Sequence, residues 1–148
     1  MLPRGLRNNN PGNIDYNPRN SWRGQIGIET DLPEHIKPRF AKFSSMEFGV
    51  RAMVKLLQSY SKVIDSKTRT PIDTIAEIVS RYAPSNENKT DKYIENVSAW
   101  SGISPDQIID PYSKADLIRL IPAIIRQENG RHIDQKVVEK GIDLALQG

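Results

Sequence analysis

The sequence predicts a mostly helical α+β domain, in which a small N-terminal lobe of loops and one β-hairpin precedes a helical lobe. The first 45 or so residues carry many of the glycines and prolines and show little helical periodicity. From about residue 46 onward, apolar residues recur every three or four positions, as in amphipathic helices. A chain of 148 residues suits one domain, so we assign residues 1–45 to the loop and hairpin lobe and residues 46–148 to the helical lobe.

Two short segments of the N-terminal lobe have the composition of strands. They are WRGQIGIE at residues 22–29 and RFAKF at residues 39–43, and together they predict the hairpin. The intervening TDLPEHIKP contains two prolines and predicts an irregular polar connection. We assign Glu29 to this flexible connection and expect the pKa of its carboxyl to stay near its ordinary value.

Five helices are expected after the hairpin, and most begin at a recognisable cap. A capping side chain is followed three positions later by an acidic residue at Ser44 with Glu47, Thr70 with Asp73, Asn88 with Asp91, and Ser113 with Asp116. The first of these helices should run to about Ile64, and the second should stop at Tyr82, Ala83 and Pro84. Gly102 and Gly130 should end the third and fourth, and Pro122 should kink or divide the fourth. The last helix is predicted from about Asp134 to Leu146.

Composition excludes several kinds of chemistry. The chain has no cysteine, which excludes disulfides, thiolate zinc sites and cysteine nucleophiles. Its two histidines, His35 and His132, have no metal-binding spacing, so we expect no metal and no cofactor. The net charge of +3 is mild, and no predicted helix carries a one-sided basic stripe, so we expect no nucleic-acid partner.

Targeting signals are also missing from the sequence. No apolar run approaches the roughly 20 residues of a transmembrane helix, and the segment MLPRGLRNNNPGN lacks the apolar region of a secretory signal. We therefore expect synthesis in the cytoplasm without a classical signal peptide. A role outside the cytoplasm would require a separate delivery protein, which the sequence does not identify.

Glu128 is the best candidate for an acid that stays protonated near neutral pH. Such a carboxyl must be desolvated by apolar neighbours, and Glu128 follows the apolar Ile121, Ile124 and Ile125. It also lies in the last turn of its helix, where the negative end of the helix dipole disfavours ionisation. Asp15 is the best remaining carboxylate for a second catalytic role. The scarcity of other candidates favours a scheme with a single acid.

The loop NNNPGN offers side-chain amides that suit polyhydroxylated, N-acetylated sugars. We assign substrate binding to Asn8, Asn9, Asn10, Asn13 and Gln25 by residue type and position. The alternative is a cluster of turns whose amides satisfy only the local backbone. Aromatic faces for sugar rings are available at Trp22, Phe40 and Phe43, although one or two of these belong to the core.

Four segments in order carry a family resemblance. The chain resembles phage and prophage lysins and virion-associated peptidoglycan hydrolases of the lysozyme-like superfamily. The segments that carry the resemblance are RGLRNNNPGNI, WRGQ, RFAKFSSMEFGVRAMVKLL and IIRQENG. The resemblance implies a lysozyme-like helical domain that degrades peptidoglycan, acts on the bacterial cell wall in the periplasm, and is phage-encoded or virion-associated.

A second, fainter likeness is to bacterial glucosaminidases, through NPGNI, FAKFSSME and TDKY. In those enzymes the helix with the catalytic Glu precedes the Asn loop, whereas here IIRQENG lies at the other end of the chain. We therefore infer a circular permutation, which predicts that Glu128 lies beside the NNNPGN loop. Tyr93 should then face the same cleft.

These observations predict a muramidase or lytic transglycosylase that cleaves the β-1,4 bond after N-acetylmuramic acid. Glu128 would be the general acid and base, and Tyr93 or Tyr82 would hydrogen-bond near the reacting centre. A glucosaminidase specificity, a non-enzymatic virion or wall-binding module, and a basic DNA-binding domain are the alternatives. Hydrolysis and formation of a 1,6-anhydro product both remain open at this stage.

Overall fold

The computed structural model describes residues 2–83 and 87–148, and the side chains of residues 87 and 88 lie outside this description. Within it the fold is mostly helical, with one small antiparallel sheet, as the sequence predicts. The elements in chain order are α1 (Arg4–Arg7), β1 (Gln25–Ile28), β2 (Ala41–Phe43), α2 (Met46–Tyr60), α3 (Ile75–Tyr82), α4 (Glu87–Ser101), α5 (Lys114–Asn129) and α6 (Gln135–Leu146).

The hairpin predicted from WRGQIGIE and RFAKF is present as β1 and β2. Gln25 pairs with Phe43 and Ile28 with Ala41, and a bulge interrupts the register between Gln25 and Gly27. The bulge leaves the Ile26 side chain 61% exposed, while Ala41 and Phe43 on the opposite strand are buried. The hairpin therefore buries one side of β2 against the helices.

Helix α5 lies at the centre of the helical lobe. Its apolar residues form a wide buried surface, and α2, α4 and α6 all pack against it. The buried apolar side chains of α5 are Leu117, Leu120, Ile121, Ala123, Ile124 and Ile125. The helix runs without division through Pro122, contrary to one of the two outcomes expected for that residue. Ile14, Ala41 and Phe43 join the same core, so both lobes share one hydrophobic interior.

Several predicted helix ends are confirmed. Ser113 caps α5 by accepting a hydrogen bond from the Asp116 backbone N–H at 3.3 Å, and Gly130 ends that helix with a left-handed φ of 71°. Asp134 caps α6. Gly102 follows α4 with a φ of 72°, and α3 ends at Tyr82. The stop predicted at Pro84 falls outside the described residues.

Three predicted caps are wrong. Asn88 lies within α4, which begins at Glu87, so it does not cap that helix. Helix α2 is capped by Ser45, whose Oγ accepts from the Phe48 N–H at 3.3 Å, because the Ser44 N–H donates to the Gly24 carbonyl beside the hairpin. Helix α3 is capped by Thr74, whose hydroxyl accepts from the Glu77 backbone N–H at 3.2 Å and donates to the Glu77 carboxylate at 3.0 Å.

The segment between α2 and α3 explains why Thr70 does not cap α3 and why α2 ends before Ile64. Ile64 forms an isolated β-bridge with Pro71, which closes a loop after Tyr60 and makes helix to Ile64 impossible. Thr70 stands inside this loop, where its hydroxyl hydrogen-bonds to Glu77 at 3.0 Å instead of capping a helix start.

Glu29 is also corrected by the structure. It is 1% exposed, not part of a flexible connection, and its carboxylate accepts hydrogen bonds from the Arg4 guanidinium at 2.6 and 2.9 Å. Further bonds come from the Asn8 amide and the backbone N–H groups of Arg39 and Phe40. Burial alone would raise the pKa of Glu29, but these donors outweigh it and hold the pKa at about 2. The Glu29 carboxylate, which directly follows β1, thus connects the short helix α1 to the residues that precede β2. The sequence did not predict α1.

We expect Glu29→Gln to lower the free energy of unfolding by about 3 kcal/mol at about pH 7, since the depressed pKa stabilises the fold wherever the carboxylate is ionised. The stabilisation should fade as the pH falls from the ordinary glutamate pKa toward 2, so the two proteins should converge in acid. Urea unfolding at several pH values measures the difference. Glu34→Gln is the matched control at an exposed site, and an equal effect of both substitutions at every pH would contradict this account.

Candidate functional site

The two ends of the chain meet at Glu128. The Asn13 side-chain amide donates to Oε1 of Glu128 at 2.8 Å, and the Tyr93 hydroxyl donates to Oε2 at 2.8 Å. Glu128 therefore lies beside the NNNPGN loop and Tyr93 contacts the same carboxyl, which is the juxtaposition that the circular-permutation hypothesis predicts. Three of the side chains singled out in the sequence are brought into direct contact.

The end of α5 holds this arrangement through Asn129. The buried Asn129 amide donates to the Pro11 carbonyl at 2.7 Å and to the Ile125 carbonyl at 2.9 Å, which ties the helix end to the loop. Gly5 permits the close approach, because a Cβ at this position would lie 2.6 Å from Asn13 Oδ1 and 2.7 Å from Asn129 Oδ1. Asn129 was not among the predicted site residues, although its position next to Glu128 was a usable signal.

The Asn-rich loop is mostly a structural support. Asn10 is fully buried, and its amide donates to the backbone carbonyls of Ile14 and Ala41 while its oxygen accepts from the Ile14 N–H. Asn8 is 5% exposed and donates to Glu29. The substrate-binding roles predicted for Asn8 and Asn10 are therefore not retained, since neither exposes the amide atoms that a sugar would need.

Asn9 and Asn13 adopt left-handed backbone conformations, with φ values of 52° and 51°. The Asn9 amide donates to the Phe43 carbonyl at 3.0 Å. Its own carbonyl contacts Gly49 at the start of α2, where no Cβ would fit. Asn9 thus locks the loop against the helical lobe, and Asn13 is the member of the loop whose side chain reaches Glu128.

The environment of Glu128 favours its protonated form. Desolvation is the largest influence and raises the pKa of Glu128 above the ordinary glutamate value. The hydrogen bonds from Asn13 and Tyr93 and the charge of Arg39 act in the opposite direction without cancelling it. A carboxyl of this kind retains its proton to higher pH than an exposed glutamate. Once the proton is lost, the carboxylate is stabilised by the two hydrogen bonds that Asn13 and Tyr93 donate.

Both tyrosines at the site are neutral donors. Burial, followed by the charge of Glu128, raises the pKa of Tyr93 well above its ordinary value, and the same two causes act on Tyr82. Tyr82 donates its hydroxyl hydrogen bond to the Gly12 carbonyl. Of the two tyrosines, Tyr93 is the one that hydrogen-bonds to Glu128, while Tyr82 supports the loop and lines a pocket on the Asn13 side.

Two pockets flank the hydrogen bond between Asn13 and Glu128. On the Glu128 side, a pocket of about 340 Å³ is lined by Ala83, Lys89, Lys92, Tyr93, Gln127 and Glu128. On the Asn13 side, a polar pocket of about 230 Å³ is lined by Asn13, Ile14, Asp15, Asn17, Asn20, Trp22, Arg39, Leu56, Tyr60, Arg81 and Tyr82. Glu128 thus lines the first pocket, and its hydrogen-bond partner Asn13 lines the second.

Comparison with known proteins gives one relationship. The chain is 30% identical to Protein P5 of Pseudoalteromonas phage PM2 over 148 residues, which covers 98% of this chain and 83% of the phage protein. The chain belongs to the Protein P5 family. No protein-family model matches the sequence. The relationship associates this P5-family member with a bacteriophage protein across nearly its whole length.

Asp15 and Gln25, the other predicted site residues, occupy different positions. Asp15 lines the Asn13-side pocket, where its exposed carboxylate forms an ion pair with Arg39 at 2.7 Å. Gln25 donates to the Asn20 carbonyl at 3.1 Å and stands outside the described lining of both pockets. Of the three aromatic candidates, Trp22 lines the Asn13-side pocket and Phe43 is core.

The described part of this P5-family chain contains neither a metal-binding cluster nor a membrane-spanning helix. Over residues 2–83 and 87–148, no group of three His, Asp or Glu side chains is placed to hold a metal ion. Within the same ranges, no helix combines the length and apolarity needed to cross a membrane.

We expect Glu128→Gln to raise the melting temperature at about pH 7.5 while leaving it nearly unchanged at about pH 3.5. The raised pKa means that the folded wild type loses stability as the pH rises from the ordinary glutamate pKa through the raised one. A neutral amide of the same shape avoids that loss. Thermal unfolding followed by circular dichroism at both pH values measures this. A variant that is less stable at the higher pH would contradict the proposed desolvation.

Proposed function

We propose that this P5-family chain is a peptidoglycan-degrading glycosidase, a muramidase or lytic transglycosylase, with Glu128 as its single general acid and base. The observation that carries the proposal is the desolvated Glu128 carboxyl, held by two neutral donors beside two pockets. Cleavage of a glycosidic bond needs an acid that is protonated at the working pH and a cleft for sugar on both sides. The relationship to a phage protein supports a phage-encoded protein. Action on the host cell wall is part of the proposal.

In the proposed reaction, protonated Glu128 donates its proton to the glycosidic oxygen of the β-1,4 bond between N-acetylmuramic acid and N-acetylglucosamine. The bond from the anomeric carbon to that oxygen breaks, and the leaving sugar departs as an alcohol. The Glu128 carboxylate then accepts a proton from the attacking hydroxyl as the new bond to the anomeric carbon forms. The hydrogen bonds from Asn13 and Tyr93 stabilise the carboxylate between these two steps.

The surroundings of Asp15 favour one catalytic acid over two. Asp15 is exposed and paired with Arg39, which also acts on the charge of Glu128. An exposed carboxylate that already has an arginine partner is poorly suited to attack an anomeric carbon, since its charge is shared and solvated. The attacking hydroxyl then comes from water or from the sugar itself, and only the second leaves a 1,6-anhydro ring.

The proposal is tested by clearing of purified peptidoglycan. Wild-type protein should clear it, and Glu128→Gln should lower the rate by roughly a hundredfold to ten-thousandfold, the usual contribution of a general acid. The exposed Glu34→Gln is the matched control and should keep full activity. Mass spectrometry of the released muropeptides then identifies a 1,6-anhydro product or a reducing end.

Two outcomes would contradict the proposal. Equal clearing by wild type and Glu128→Gln would show that another residue is the acid. A folded wild type that binds peptidoglycan without releasing fragments would support the non-enzymatic wall-binding module instead.

A further inference from the structure

A second concave surface of the molecule is lined by cations. This cationic pocket, of about 460 Å³, is formed by Ser21, Trp22, Arg51, Lys55, Gln58, Ser59 and Lys62. Arg51 and Lys55 are one helical turn apart on α2, and Lys62 follows the end of that helix. No carboxylate is among these lining residues.

The two lysines of this pocket have no acidic partner in the described part of the chain, since neither Lys55 nor Lys62 forms an ion pair. Burial, then the charges of Arg51 and Lys62, lower the pKa of Lys55, and burial followed by the charge of Arg23 lowers that of Arg51. Like charges held together without partners are unfavourable in the free protein, and a bound anion would relieve their repulsion.

Arg51 and Trp22 provide buried donors at this surface. Arg51 is 9% exposed, and its Nε is buried without a hydrogen-bond partner, although Nη2 donates to the Gly148 carbonyl at 3.4 Å. The Trp22 Nε1 is likewise buried without a partner. Buried donors without acceptors are uncommon in folded proteins and are frequent where a ligand supplies the acceptor.

Trp22 connects the cationic pocket to the candidate active site. Its side chain lines both this pocket and the Asn13-side pocket, and Asn13 is hydrogen-bonded to Glu128. The three pockets are thus linked in order by the hydrogen bond between Glu128 and Asn13 and by the Trp22 side chain. A polymer bound in the first two pockets would bring its substituents toward the third.

We propose that the cationic pocket binds carboxylate groups of the peptide stems attached to the glycan strand, an inference that rests on the proposed function. The pocket offers ammonium, guanidinium, hydroxyl and indole donors and no competing carboxylate, which suits a carboxylate ligand. The peptide stems are part of the same polymer whose sugars would occupy the cleft at Glu128. Nucleic acid is the less favoured ligand, because these cations line one compact pocket and do not follow an extended groove.

Binding measurements in the Glu128→Gln background test this without degradation of the polymer. Soluble glycan strands carrying peptide stems are compared with the same strands after an amidase has removed the stems. Lys55→Glu with Lys62→Glu should weaken binding of the stem-bearing strands about tenfold, which is the scale of two reversed surface charges. Binding of the stripped strands should be unchanged. Lys136→Glu with Lys140→Glu, at exposed positions of α6, makes the same charge change elsewhere and should leave both affinities unaltered.

The remaining outcomes distinguish the two proposals. Equal loss on both kinds of strand, or no loss on either, would overturn the assignment of the pocket and leave the glycosidase proposal intact. Failure of the parent protein to bind either strand would contradict the proposed function and, with it, this inference. A short DNA duplex bound more tightly than the stem-bearing strands at the same ionic strength would assign the pocket to nucleic acid.

Discussion

A hydrogen bond between Asn13 and Glu128, 115 positions apart in the sequence, sets the constraint that the neighbouring elements satisfy. For this bond to form, the N-terminal loop must lie against the end of α5. The fold meets that requirement through Asn129, which holds the loop at Pro11, and through Gly5, which leaves room for both amides. The loop thereby covers one side of Glu128 and supplies part of the desolvation that raises its pKa.

A buried carboxyl, Glu29, and a half-buried one, Glu128, have opposite properties because their surroundings differ. Glu29 accepts from a guanidinium, a side-chain amide and two backbone N–H groups, and its pKa falls to about 2. Glu128 has two neutral donors, and desolvation prevails there. Glu29 stays charged at neutral pH and anchors the fold, whereas Glu128 is suited to exchange a proton. Glu29 also fixes α1 and Asn8, which lead directly into the loop that contacts Glu128.

Features determined by short-range signals were predictable from the sequence. Local signals predicted the cap of α5 at Ser113 and its end at Gly130. The apolar residues before Glu128 likewise predicted that its carboxyl is desolvated. The contact with Asn13 required the family resemblance, because periodicity and capping do not report on the distance between chain ends.

Features determined by distant partners were not predictable. The buried state of Glu29 depends on Arg4, 25 positions earlier, and nothing near Glu29 in the sequence indicates that partner. Asn8 and Asn10 have a composition that suits sugar binding, yet their amides serve Glu29 and the backbone around β2. The cap of α2 is Ser45 and not Ser44, because the Ser44 backbone N–H is hydrogen-bonded to the Gly24 carbonyl beside the hairpin. The cationic pocket likewise joins residues of two separate segments.

The central claim is that Glu128 holds its proton to higher pH than an ordinary glutamate does, and its side-chain carboxyl carbon reports this directly in a pH titration by ¹³C NMR. We expect a midpoint above the ordinary glutamate pKa of about 4.3. In Tyr93→Phe the midpoint should be higher still, since a donor to the carboxylate is lost. A midpoint at or below the ordinary value in the wild type would contradict the account.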